Sequence, residues 1–305
     1  MRVFVSGASG YVGGGIARHL AARGHEVLGG VRRPSKLPEN VTPLLTGDLA
    51  DQAPDLSGVD AVVHAAGLAH IRNAPPEAWE RANVQAAETL ARAALAAGVR
   101  RFVLISSIGV LGRTVSGIAD EATPPNPADA YASSKLTAEI RLRALLGKRL
   151  CVLRPAAIIG PGCPGNLPLL LKLLRLGVPL PFASIRNSRS FIALGDLARL
   201  VELVLLAETA PSLVLAAHPE PISTPALIRA LAEGMGIPPR LLPFPPALLA
   251  LAAKITGRGA MWQSLAGSFA VTPRAALAMG WKPAETLAET LRITSRYYNT
   301  THKTP

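Results

Sequence analysis

A glycine-spaced turn near the start of the chain, Gly7-Ala8-Ser9-Gly10-Tyr11-Val12-Gly13, constrains the fold more than any other feature. It follows the strand-like run "RVFVS" and opens a helix-like run, "YVGGGIARHLAARG", that stops at Gly24. Glycine permits the tight turn, lets the backbone approach a phosphate and allows close packing of helix on strand. Free N–H groups and the positive end of the helix dipole then face the anion. Glycine triplets alone are a weak signal. A strand before and a helix after make this one a dinucleotide-binding βα turn.

Short apolar runs recur downstream as "HEVLGGVRR", "VTPLLTGDL", "DAVVHAAG", "RRFVLISS" and "RLCVLRPAAIIGPG", with an Ala-rich helix from Trp79 to Ala97. Continuous apolar strands between helices predict an α/β fold: a Rossmann doubly wound parallel sheet with helices on both faces. Near residue 160, Pro and Gly become dense and the alternation stops. The expected organisation is a dinucleotide-binding domain over 1–160, a smaller C-terminal substrate-binding lobe over 161–190 and 218–295, and a tail over 296–305. Within 191–217, "SFIALGDLARLVELVLLAE" and "LVLAAH" read as one more helix and strand returning to the first domain.

Composition narrows the function classes. The net charge is +12, but the arginines are scattered and no basic block is interleaved with aromatic residues, so a nucleic-acid partner is not expected. The charge suits phosphorylated small molecules instead. Cys151 and Cys163 have no metal-ligand or C-x-x-C spacing, which reads as reduced, buried thiols in a cytoplasmic protein. The opening "MRVFVSGASG" passes at once into strand and turn, unlike a signal peptide. The apolar stretches "LPLLLKLLRLGVPLPF" and "PPALLALAAKITG" are too short for a membrane span and read as lobe helices, with weak membrane contact left open.

In "DAYASSKLTAE", Tyr131 and Lys135 lie four residues apart, so a helix stacks a phenol and an ammonium on one side. The G-x-x-G-x-x-G spacing with this Tyr-x-x-x-Lys pair resembles the extended branch of the short-chain dehydrogenase/reductase superfamily. The resemblance covers nearly the whole chain, through Asp48 in "GDL", "HAAG" at 64–67, Asn83 in "ANV", "VRRFVLISS" at 99–107, "DEATPPNPADAYASSK" at 120–135 and "LRPAAIIGPG" at 153–162.

The resemblance implies cofactor contacts at Gly7, Ser9, Gly10, Tyr11, Val12 and Gly13, and at Asp48 and Leu49 beside the adenine. It implies others at Ala65, Ala66 and Gly67 along the nucleotide groove, and at Asn83, Ser106, Lys135, Pro155 and Ile158. Val31 stands where NAD-binding members usually carry an acid, and Arg32 and Arg33 follow it. A cation there attracts a ribose 2′-phosphate, so NADP(H) is favoured over NAD(H).

Tyr131 is expected to be the general acid, its pKa lowered by Lys135 and by the positive nicotinamide ring. Ser107 takes the family's catalytic Ser/Thr position, with Ser106 the lesser candidate. On the substrate side, Asn166, Leu167 and Arg189 resemble diphosphate contacts, Phe182 lies in the stretch along a uracil, and His70 and Ser107 face the sugar. Arg186 is a weaker neighbour of Arg189.

The expected activity is therefore NADP(H)-dependent reduction of the 4-keto group of a UDP-linked (6-deoxy) hexose. The alternatives are an NAD-dependent UDP-sugar 4-epimerase or a reductase of a nonsugar ketone. A dehydratase is disfavoured because Ile108-Gly109, rather than two carboxylates, follows Ser107. A non-catalytic scaffold fits poorly with an intact Ser107, Tyr131 and Lys135. The resemblance also implies a homodimer.

Overall fold

The computed structural model describes residues 1–69, 71 and 74–301. Its first half runs β1 (Arg2–Ser6), α1 (Tyr11–Ala22), β2 (Glu26–Val31), β3 (Val41–Leu45), β4 (Ala61–His64), α2 (Pro76–Trp79), α3 (Ala86–Ala96), β5 (Arg101–Ile105), β6 (Ile118–Ala119), α4 (Ala130–Leu146) and β7 (Leu150–Pro155). The second half continues with β8 (Ala157–Ile159), α5 (Leu167–Arg175), β9 (Phe191–Ala193), α6 (Leu194–Leu206), β10 (Leu213–Ala216), α7 (Thr224–Gly234), α8 (Pro246–Ile255), α9 (Gly259–Ala266), β11 (Ala270–Val271), α10 (Arg274–Ala278) and α11 (Leu287–Thr301).

Seven strands form one sheet in the order β10-β7-β5-β4-β1-β2-β3, every neighbouring pair parallel. The central strands are apolar on both faces because helices cover both. Val3, Val5, Val63 and Val103 pack with Ile16, Leu20, Leu197 and Val201 of α1 and α6. Phe4, Val62, Phe102 and Val152 point the other way, onto Leu90 and Leu142 of α3 and α4. Burying a side chain such as Phe4 or Phe102 contributes about 1.5–3 kcal/mol each. Pro43 is tolerated in β3 because that strand is the sheet edge. The strand order reverses between β1 and β4, which opens a crevice at their carboxyl ends.

Two elements differ from the sequence expectation. The single helix read from Trp79 to Ala97 is instead α2 and α3 joined by a π-helical segment, Glu80–Gln85. The wide turn carries Asn83, whose side chain is bonded to the loop after β4. The run "SFIALGDLARL" begins as strand rather than helix, since Phe191–Ala193 pairs parallel with Ala157–Ile159 before α6 starts. Beyond these, β10 hydrogen-bonds to β7 in the main sheet, and α6 packs on α1.

A separate core joins Leu171 and Leu174 of α5, Ile228 and Leu231 of α7, and Leu287 and Leu291 of α11. The Ser223 hydroxyl caps α7 by accepting from the Ala226 amide at 3.3 Å. Among the described residues no helix is long and apolar enough to cross a membrane.

Candidate active site

The loops after β1, β4 and β5 meet where the strand order reverses. Gly7 adopts φ +69°, and a Cβ added there would lie 2.9 Å from the Ala66 Cα, so the glycine turn rests on the backbone after β4. A Cβ at Gly13 would collide with the Gly7 carbonyl oxygen. Gly10 caps α1 without any side-chain hydrogen bond, and the first turn of α1 holds no acidic residue. The helix end thus keeps N–H groups for an anion, in a cradle that side chains would fill. This chain's residues fit a dinucleotide on those grounds.

Ser9 is exposed, while Val12 packs on the sheet. The Tyr11 hydroxyl is buried without a hydrogen-bond partner among the described residues, and burial raises its pKa. Arg32 and Arg33 are exposed just past the buried Val31. The Asp48 carboxylate accepts from the Ala50 amide at 3.0 Å and from Arg81 at 3.0 Å. The Ala50 N–H, followed by Arg81 and Arg32, holds it below its ordinary pKa despite some desolvation. Leu49 is a core residue. Pro155 is buried at the end of β7, and Ile158 packs against the sheet.

A clip between β1 and β4 shapes the nucleotide groove. The Ser6 hydroxyl accepts from the Ala65 and Ala66 amides, both at 3.1 Å, and lies 2.8 Å from His64 Nδ1. With two donors already on the oxygen, its own hydrogen goes to His64, whose ring is thereby neutral. Burial, then the Lys135 charge, pushes the His64 pKa down to about 3. No sequence motif marked Ser6 or His64 as partners.

Asn83 binds both backbone groups of one residue: its Oδ1 accepts from the Leu68 N–H at 2.7 Å and its Nδ2 donates to the Leu68 carbonyl at 3.2 Å. Nδ2 also reaches the Ser134 hydroxyl on α4 at 2.9 Å. A Cβ at Gly67 would meet Asn83 Oδ1 at 2.7 Å and Lys135 Nζ at 3.2 Å, which brings those three residues together.

Asp129 starts α4 by accepting from the Ala132 amide, so Tyr131 falls in its first turn and Lys135 one turn on. Lys135 is buried, donates to the Ile105 carbonyl at 3.1 Å, and is pushed down to about 8 by burial, against an opposing pull from Glu139. The Tyr131 ring lies 5.9 Å from the Trp79 ring, and the Ser107 side chain is near enough to act on its phenol. Ser107 caps the short turn Ile108–Leu111, accepting from the Gly109 amide at 3.0 Å.

Two expectations change here. Burial raises the Tyr131 pKa, the Ser107 hydrogen bond opposes that, and Asp129 adds to it. In the chain by itself, burial outweighs any lowering of the phenol pKa by Lys135, whose amine donates to the Ile105 carbonyl. Nor does the Ser106 side chain face the groove: it donates to Glu139 at 2.5 Å, inside the core. Glu139 in turn meets Arg154 of β7, with Nη2 to Oε2 at 2.6 Å and both side chains buried. The sequence reading missed that pair.

On the lobe side, Asn166 is exposed at the start of α5 without a side-chain cap bond, and Leu167 and Phe182 pack on the lobe core. Arg189 Nη1 donates to the Gly267 carbonyl at 3.0 Å, and burial lowers the guanidinium pKa. Gly267 lines a cavity of about 490 Å³ between residues 184–186 and helices α8 and α9, which Arg186, Trp262 and Gln263 also line. His70 lies outside the described residues. Among the described residues no group of His, Cys, Asp or Glu could hold a metal ion.

A glycine cradle at the switch point and a Ser-Tyr-Lys set beside it define an NAD(P)-dependent enzyme of the extended short-chain dehydrogenase/reductase type. Residues 3–215 match the NAD dependent epimerase/dehydratase family, and the chain belongs to it. The UDP-glucose 4-epimerase of Vibrio cholerae is 28% identical, over 97% of this chain and 95% of that protein. A 3-diazoavenalumate denitrifying reductase from a Streptomyces species is 32% identical, over 93% of this chain and 96% of its own. The fold is similar to that of the human epimerase family protein SDR39U1, solved with NADPH, at a TM-score of 0.79 and 23% identity over 97% of this chain and 99% of that one.

Proposed function

We propose that the chain moves hydride and proton at C4 of a UDP-linked hexose, and that epimerisation at that carbon is its activity. The observation that carries the chemistry is the placement of Tyr131 in the first turn of α4, with the buried Lys135 one helical turn on and the Ser107 side chain near enough to act on the phenol. The Vibrio cholerae 4-epimerase, matched over nearly the full length of both chains, supports the substrate class.

A bound nicotinamide dinucleotide would supply hydride acceptance and return. Gly7, Gly10, Gly13 and the α1 N-terminus would hold its pyrophosphate, and Asn83, Gly67 and Lys135 the nicotinamide end. Tyr131 holds the proton. Burial keeps the phenol neutral, the state that donates to a carbonyl oxygen. Taking a proton from a hydroxyl requires positive charge close by, and the Lys135 ammonium is the chain's own source of it. Ser107 would position the reacting oxygen. Asn166 and Arg189 would hold the diphosphate, with Phe182 along the uracil, in a lobe formed by 161–190 and 218–295. The functional unit in this reading is a homodimer.

Net reduction of a UDP-4-keto sugar with NADPH is the second reading. Arg32 and Arg33, exposed past a Val31 that brings no acid, favour a 2′-phosphate and therefore an exchangeable reductant. The test is direct. Incubation with UDP-glucose should yield its C4 epimer by NMR with no net change in the nicotinamide absorbance. NADPH consumed on a UDP-4-keto-6-deoxyhexose instead would select the reductase. Absence of both, with no saturation transfer to UDP, would sink the sugar-nucleotide reading. Arg32→Asp should shift nucleotide preference toward NAD by about tenfold or more if this cation reads the phosphate.

A further inference from the structure

Helix α8 has no buried residue, although nine of its ten residues, Pro246–Ile255 (PALLALAAKI), are apolar. Its inner side, Pro246, Ala247 and Ala250, closes the lobe cavity against Trp262 of α9. Its outer side repeats at helical spacing: Leu248, Leu251 and Ile255 stand 53%, 54% and 77% exposed. Leu242 and Phe244 before it and Met261 after it are exposed as well. Single exposed leucines are ordinary, but three large apolar side chains repeated on one side of a helix mark a contact surface.

Charge says what covers it. Residues 234–284 contain Arg240, Lys254, Arg258, Arg274 and Lys282 and no Asp or Glu, in a chain whose net charge is +12. Arg240 before α8, Lys254 within it and Arg258 just after it are all exposed. A protein partner with an apolar knob would not require fifty residues cleared of acids. Anionic headgroups above acyl chains would, since the leucines enter the boundary while the cations stay at the phosphates. We propose that α8 and its flanks form a monotopic docking face for an anionic phospholipid bilayer. The helix lies in the interface plane, and the lobe cavity lies directly behind it.

Flotation of the purified full chain with unilamellar vesicles tests this without any sugar nucleotide, so it stands or falls apart from the substrate reading. Vesicles of equal parts phosphatidylglycerol and phosphatidylcholine should carry the protein. Pure phosphatidylcholine vesicles should carry much less, and added salt should weaken the first case. Leu251→Glu with Ile255→Glu should lower partitioning by at least about tenfold. Lys254→Gln with Arg258→Gln should flatten the salt dependence. Unchanged melting temperatures would show the variants folded, and both variants alter exposed side chains. Failure to float with anionic vesicles, or flotation insensitive to the two glutamates, overturns the proposal. So does a concentration-dependent dimer that the glutamates dissolve without any vesicle binding, which would assign the face to a second copy of this chain.

Discussion

Glu139 and Arg154 form a buried ion pair across α4 and β7, with Nη2 and Oε2 at 2.6 Å. Ser106, just past β5, fills a further lone pair on Oε1, so the carboxylate is fixed from β7 and from the end of β5. One turn earlier on the same helix, Lys135 feels that carboxylate as the charge that keeps its pKa from falling further. The pair is thus both a structural tie and a support for the lysine's charge.

Removing one partner leaves the other charged and buried. Glu139→Gln should cost about 3–5 kcal/mol in urea unfolding, whereas replacing Glu139 and Arg154 together by methionine should cost much less. In whatever Glu139→Gln enzyme folds, the Lys135 pKa should drop below about 8, moving the alkaline limb of kcat/KM to lower pH. An unmoved limb would mean that the carboxylate does not act on the lysine.

Tyr131→Phe keeps the ring against Trp79 and removes only the hydroxyl. Turnover should fall by about a hundredfold to ten-thousandfold while dinucleotide affinity is retained. Steady-state kinetics beside a fluorescence titration of the nucleotide checks both. Turnover that survives would strip Tyr131 of the acid's role.

Two buried bases make stability pH-dependent in separate windows. His64 is held near 3 in the folded chain against 6.5 for the free group, so between those values the unfolded chain binds a proton that the folded one refuses. Lys135 does the same between about 8 and 10.5. Unfolding free energy should therefore rise with pH in each window, by up to about 1.4 kcal/mol per pH unit for each group. Urea midpoints should climb from mild acid to pH 6.5, and His64→Gln should flatten that climb.

Gly13→Ala would place a methyl group on the Gly7 carbonyl oxygen. The expected cost is about 1–3 kcal/mol of stability, with loss of nucleotide binding because the turn must open. Thermal unfolding with and without NADP(H) separates the two effects. A variant that still gains full stabilisation from the nucleotide would show that the turn is not its cradle.

The parallel sheet was legible because β1, β2, β4, β5 and β7 are short apolar runs separated by helical patterns, and local sequence carries that signal. Spacing was enough to place Tyr131 and Lys135 one turn apart on one helix, while their expected roles came from the resemblance. Contacts that depend on tertiary packing were not. The Ser6 hydroxyl on His64 joins residues 58 apart, and Ser106 turned to Glu139 joins residues 33 apart; neither separation leaves a mark in either segment. Helix periodicity likewise could not show the π turn at Asn83, since one extra residue in a turn hardly alters an Ala-rich pattern. In Phe191–Ala193, apolar residues suited both helix and strand, and the neighbouring β8 decided the matter.

β1 leaves the ribosome before both of its partners, yet it lies inside the sheet, with β2 on one flank and β4 on the other. A nascent chain can pair the β2 flank early, but the opposite edge of β1 stays open until residues 61–64 emerge. Through that interval Val3, Phe4 and Val5 present an unpaired apolar ribbon, the kind of template that other nascent chains can extend. Slow synthesis before β4 would lengthen that exposure, and chaperone demand should concentrate there.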